Sequence, residues 1–174
     1  MIRVARFNYS QDEYYYAHQA GIFALATICQ TGVHRLGYSA TSQPLIAGRF
    51  VSIAHSAGCA VAATSEYPIG VDIEPISRVI DDSLAGYLIA DPERTIFKHS
   101  SDIIKAWAIK ESVLKMRGSG VTGPPRSLVR ILSKEGAIYI CKDLVGIIRV
   151  KVYRRQGYII AIAHERANEE ITIH

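Results

Sequence analysis

The stretch that most constrains this chain is Pro68-Ile69-Gly70-Val71-Asp72-Ile73-Glu74. β-Branched residues alternate with carboxylates, which is a strand pattern. Residues i and i+2 of a strand share a face, so Asp72 and Glu74 point the same way, roughly 7 Å apart. Val71 and Ile73 then face a core behind them. Like charges this close raise each other's pKa, and a divalent cation removes that cost. All-oxygen ligands suit Mg²⁺ or Mn²⁺ better than Zn²⁺. The competing reading is an edge strand with its polar face in water, and a third carboxylate elsewhere would decide between them.

The rest of the chain is compatible with one domain. It has 174 residues, 49% hydrophobic and 21% charged, enough for a substantial core. No apolar run reaches the ~18 residues that cross a membrane, and the start lacks the basic segment of a cleaved signal. Cys29, Cys59 and Cys141 are scattered and form no metal or disulfide spacing, so a reducing cytoplasm is expected. The formal net charge is +4. Between Asp102 and Lys134, seven Lys/Arg stand against two acids. Such a run suits an anionic partner, or is a solvated helix face.

The element order reads as follows. Ile2–Phe7 is a strand, and 11–30 is a helix whose Ala17, Gly21, Ala24 and Ile28 suggest close packing, with Gly32 as its stop. Residues 37–48 are turn-rich. Phe50–Ala54 and Ala60–Thr64 form a hairpin connected through His55-Ser56-Ala57-Gly58. After the central strand, Pro75 ends the ladder and Asp91-Pro92-Glu93 starts a helix. Ser100 or Ser101 with Asp102 caps a long helix, Ile103–Met116, which Gly118 stops. Strands at Leu128–Leu132, Ala137–Cys141, Ile147–Val152 and Tyr158–Ala163 follow, and a short one at Ile171–Ile173. The order helix, strands, helix, strands predicts an α+β domain over 1–174. Its two pseudo-symmetric halves, about 1–67 and 68–174, would each pack a long helix on an antiparallel sheet.

On the second long helix, Trp107, Glu111 and Lys115 follow at i, i+4 and i+8, near one face. An isolated Glu-x-x-x-Lys is usually a surface pair worth about 0.3–0.5 kcal/mol. The aromatic on the same stripe points instead to a partly buried face. Glu111 would then be the third carboxylate and Lys115 a phosphate donor beside it, a set suited to a metal and polyphosphate. Two weaker motifs fall away. Ser112-x-x-Lys115 lacks the companion elements of serine acylases, and the glycines of 118–123 follow a helix rather than precede one.

Gly70-Val71-Asp72-Ile73-Glu74, followed by Trp107-x-x-Lys110-Glu111-Ser112-x-x-Lys115, resembles the paired signature of the 4′-phosphopantetheinyl transferase superfamily. Ala54-His55-Ser56 resembles its Ser-His-Ser segment, in the single-chain pseudodimeric type. The resemblance implies an enzyme that moves phosphopantetheine from coenzyme A to a serine of an acyl- or peptidyl-carrier protein, leaving adenosine 3′,5′-bisphosphate. It implies Mg²⁺, with Mn²⁺ as a substitute, on Asp72, Glu74 and Glu111. Glu111 would also be the base, Lys115 and His55 would contact phosphate, and Ser56 and Arg49 would help hold the coenzyme. Lys110 would be structural or electrostatic.

The chain departs from the family in its first half, which is short. Gln19 and Gln43 stand where a basic residue is usual, and residues 1–71 hold four Arg and no Lys. His18, Arg35 or Arg49 would have to compensate. The alternative is a non-catalytic homologue that binds coenzyme A or a carrier protein without turnover. A monomer is expected, with neither nucleic acid nor membrane as partner.

Overall fold

The computed structural model describes residues 2–8, 14–29, 37–38, 44–46, 49–165 and 171–173. Strand β1 (Ile2–Asn8) leads to helix α1 (Tyr14–Cys29), then β2 (Gly37–Tyr38), β3 (Pro44–Ile46), β4 (Arg49–Ser56), β5 (Cys59–Ser65) and β6 (Ile69–Pro75). Helix α2 (Asp82–Leu88), a 3₁₀ turn at Asp91–Thr95, helix α3 (Ser100–Arg117) and the short α4 (Pro125–Leu128) follow. Strands β7 (Arg130–Glu135), β8 (Ile138–Lys142), β9 (Ile147–Arg155), β10 (Tyr158–His164) and β11 (Ile171–Ile173) complete the chain.

The strands form two sheets, ordered β11-β1-β5-β4-β3-β2 and β6-β10-β9-β8-β7. Among the described residues all pairings are antiparallel except β1 with β11. The expected α+β class is what the chain adopts, with α1 on the first sheet and α3 on β6 and β10 of the second. The last strand, β11, returns to the first sheet. Ile69, Val71 and Ile73 of β6, with Ile160 and Ile162 of β10, pack against Ile2, Val4, Val61 and Ala63 of the first sheet. Their neighbours on the opposite faces of these strands meet α3. Strand β6 is therefore covered on both sides, which disposes of the water-facing edge.

Close approach is built into both helices. A Cβ on Gly21 of α1 would lie 2.4 Å from the Ile53 side chain, so the small-residue stripe does mark tight packing. At Gly70 the added Cβ would sit 1.8 Å from the Ser112 carbonyl oxygen and 2.5 Å from the Met116 nitrogen. Only glycine lets α3 lie this low on β6.

Three local expectations change. The β4–β5 pairing runs to Ser56↔Cys59, so His55 and Ser56 are ladder residues and the turn is Ala57-Gly58 alone. Both have positive φ, 44° and 80°, as a two-residue hairpin turn of type I′ requires. Helix α3 starts at Ser100 with His99 in the cap position, which puts Asp102 inside the first turn, paired with Lys105 at 2.6 Å. The turn-rich 37–48 stretch carries the short strands β2 and β3. Gly118, at φ 68°, closes α3 as expected, while Gly32 lies outside the described residues.

Candidate functional site

Strand β6 presents Gly70, Asp72 and Glu74 to α3. The glycine sets the distance and the two carboxylates make the contacts. Lys115 Nζ lies 2.6 Å from Asp72 Oδ1 and 3.4 Å from Glu111 Oε2. Two turns back on the same helix stripe, Trp107 Nε1 donates to Glu74 Oε1 at 2.8 Å. The end of β4 completes the cluster, with Ser56 Oγ donating to Glu74 Oε2 at 3.1 Å. From the loop after β6, Arg78 donates to both Glu74 oxygens, at 3.0 and 2.9 Å. Asp72 and Glu74 are both buried.

The charges are unevenly satisfied. Glu74 accepts four hydrogen bonds, whereas Asp72 Oδ2 is buried with no partner. Burial pushes the Asp72 carboxyl up to about 8 against the pull of Lys115, and Glu111 and Glu74 push the same way. Lys115 is itself raised, because Asp72 and Glu111 outweigh the cost of its desolvation. His55 is exposed at the end of β4, and partial desolvation, then the charges of Lys115 and His18, lower its imidazole.

Among the described residues, no three His, Cys, Asp or Glu side chains are grouped as ligands of one ion. The donor set nevertheless fits a hard divalent cation. Asp72 Oδ2 is an orphaned buried oxygen, its carboxyl shares the Lys115 ammonium with Glu111, and the cation now on Glu74 is a half-exposed arginine side chain able to leave. Such an ion would be held by Asp72, Glu74 and Glu111.

Other expected residues fall elsewhere. Arg49 begins β4, six residues from His55, about 20 Å along a strand. It donates to Thr64 at 3.1 Å, and the structure does not bring it to the cluster. Gln19 lies on α1; Arg35 and Gln43 are outside the described residues. Lys110 is fully buried and pairs with the buried Glu93 at 2.7 Å, tying α3 to the 3₁₀ turn. Ser112 is buried and donates to the Ile109 carbonyl of its own helix, which agrees with discarding it as a nucleophile. Sequence reasoning missed Arg78 and Glu93, and missed that Trp107 binds Glu74 through its indole N–H. Nothing in the local pattern marks Arg78, since it reaches Glu74 only after the chain leaves the strand.

The basic run between residues 102 and 134 is also rearranged by folding. Lys105, Lys110, Lys115 and Arg117 all have carboxylate partners inside the molecule, so most of that charge is not offered to a partner.

Residues 68–163 match the family model described as the 4′-phosphopantetheinyl transferase superfamily. The chain belongs to that superfamily. The matched segment runs from the start of β6 to the end of β10 and contains every member of the cluster except the β4 residues. The chain is also 37% identical, over 125 residues, to enterobactin synthase component D of Salmonella typhi. That alignment covers 67% of this chain and 53% of the relative, so the chain spans about half the length of the curated relative it matches. The cysteines Cys29, Cys59 and Cys141 are all free thiols. No helix among the described residues is long and apolar enough to cross a membrane.

Proposed function

We propose that this chain transfers the 4′-phosphopantetheinyl group of coenzyme A to a serine of an acyl- or peptidyl-carrier protein, with Mg²⁺ as the metal. The observation that carries this reading is the single face on which α3 sets Lys115 against Asp72 and Trp107 against Glu74, with Glu111 beside Lys115, in a chain of this superfamily. A bound Mg²⁺ supplies polarisation of the pyrophosphate and neutralises its charge.

The chain's own groups do the remaining work. Glu111, half-buried beside Lys115, takes the proton of the attacking serine hydroxyl, directly or through water. The serine oxygen bonds to the phosphorus on the pantetheine side. The bond from that phosphorus to the bridging oxygen breaks, and adenosine 3′,5′-bisphosphate leaves with the electron pair. Lys115 faces the charge that develops on the phosphate oxygens. His55, whose imidazole is lowered by partial desolvation, hydrogen-bonds them as well. Ser56 and Trp107 fix the Glu74 carboxylate in orientation.

The test is mass spectrometry of an apo carrier protein incubated with the chain, coenzyme A and Mg²⁺. A phosphopantetheine adduct is expected. Glu111→Gln should slow its appearance by at least ~10²-fold, the usual loss on removing a general base. No adduct across a panel of carriers, with coenzyme A still bound, would instead support the non-catalytic homologue. A monomer acting in the cytoplasm suits the three free thiols.

A further inference from the structure

The β8–β9 hairpin carries a surface that the cluster does not use. Its tip, Asp143-Leu144-Val145-Gly146, holds Leu144 95% exposed and Val145 74% exposed, and the adjoining Ile147 is 56% exposed. Single exposed aliphatics are ordinary, but three within four positions on one turn make a patch. The turn is tightly built. Asp143 Oδ1 accepts the Val145 and Gly146 N–H groups at 2.9 and 2.8 Å. Asp143 Oδ2 accepts from Arg117 Nε at 2.8 Å, which pins the turn to the end of α3. The aliphatic side chains are therefore presented outward at a fixed place.

Cations surround this tip. The register sets Arg130, Lys142 and Ile147 in one row across β7, β8 and β9, and Ser133, Ile140 and Arg149 in the next. Their neighbours Ile131, Cys141, Ile148 and Val150 point to the α3 core, so these rows face the other way. Arg130, Lys142 and Arg149 are exposed, with no ion pair to another described residue. Asp143, within the tip, and Glu165 are both paired with Arg117. Glu135 comes only in the third row, opposite Ile138 and Lys151.

A protein partner would need a pocket shaped for the protruding aliphatics. A bilayer needs none, because its headgroup–acyl boundary yields to a small apolar tip. Lipid phosphates at that depth match the flanking guanidinium and ammonium groups. We propose that the β8–β9 hairpin docks the chain peripherally on an anionic lipid bilayer. Leu144 and Val145 enter the boundary region while Arg130, Lys142 and Arg149 hold lipid phosphates. The sequence-based expectation of no membrane partner rested on the lack of a spanning segment, which bears only on crossing. Docking of this kind is independent of the transfer reaction.

The experiment is co-sedimentation of the chain with phosphatidylcholine vesicles, with and without phosphatidylglycerol. Binding should be at least ~10-fold stronger to the anionic vesicles and should weaken with salt. Leu144→Ser with Val145→Ser should weaken it by roughly tenfold. Lys142→Gln and Arg149→Gln should each cost about fivefold. All four positions are exposed, and thermal melts should confirm unchanged folding. Carrier modification in solution should be unaffected by Leu144→Ser, so each reading can fail alone. Equal sedimentation with both vesicle types would overturn the proposal. So would a tip variant that binds like the parent, or one that still binds an acidic polypeptide as tightly as the parent binds vesicles.

Discussion

Gly70→Ala tests the geometry of the site without touching its chemistry. The added Cβ would sit 1.8 Å from the Ser112 carbonyl oxygen and 2.5 Å from the Met116 nitrogen. Ordinary contact needs about 3.5 Å, so α3 must retreat by roughly 1.5 Å. Both contacts are backbone atoms in the C-terminal part of α3, so no side-chain rotation relieves them. Overpacking of this kind costs about 1–3 kcal/mol, or about 2–12 °C of melting temperature for a chain of this size. The larger effect falls on the site. Retreat on that scale carries the Lys115–Asp72 contact, now 2.6 Å, and the Trp107–Glu74 bond, now 2.8 Å, past hydrogen-bonding distance. A misplacement of about 1 Å can cost 10²-fold in rate. Trp107 is the chain's single tryptophan, so its fluorescence reports directly on the loss of the indole–Glu74 bond. Three measurements suffice: a thermal melt, an emission spectrum and carrier modification. A Gly70→Ala protein with parental emission and parental activity would refute the claim that this glycine sets the spacing of the site.

Other outcomes follow from the same contacts. Arg78 occupies both oxygens of Glu74, so Arg78→Ala should bind Mn²⁺ several-fold more tightly in the absence of coenzyme A, read by electron paramagnetic resonance; unchanged affinity would mean that the arginine does not compete with the ion. The Asp72 carboxyl is raised to about 8, so between its unfolded value near 3.9 and that pH the folded chain holds a proton that the unfolded chain has lost. Without metal, stability should therefore fall as pH rises through this window; thermal melts of Asp72→Asn should lose this slope, and an identical slope in both proteins would exclude the assignment. Lys110 and Glu93 are both buried, and Glu93 also accepts the Ala90 and Ile131 N–H groups. Removing the lysine as Lys110→Met should cost about 3–5 kcal/mol, seen in denaturant unfolding, and adding Glu93→Gln should restore part of it by removing the unpaired charge.

The sequence by itself determined a good deal. Alternation around Asp72 and Glu74 specified a strand and placed both carboxylates on one face, because a period of two leaves no other arrangement. The i, i+4, i+8 stripe set Trp107, Glu111 and Lys115 along one side of a helix for the same geometric reason. Gly118 announced the end of α3 through its tolerance of positive φ. These are local properties, settled by backbone geometry within a few residues. What only tertiary structure decided depends on segments far apart in the chain. Ser56 reaches Glu74 because β4 ends against β6, and Arg78 caps the same carboxylate from a loop. Arg49 shares a strand with His55 yet stands at its other end. The lysines and arginines of the 102–134 run look like an open basic face in sequence. They are mostly internal partners, because burying the carboxylates Asp72, Glu93 and Asp143 requires countercharge that folding draws from that run. The sequence supplies these charges, and the fold decides which of them remain for a ligand.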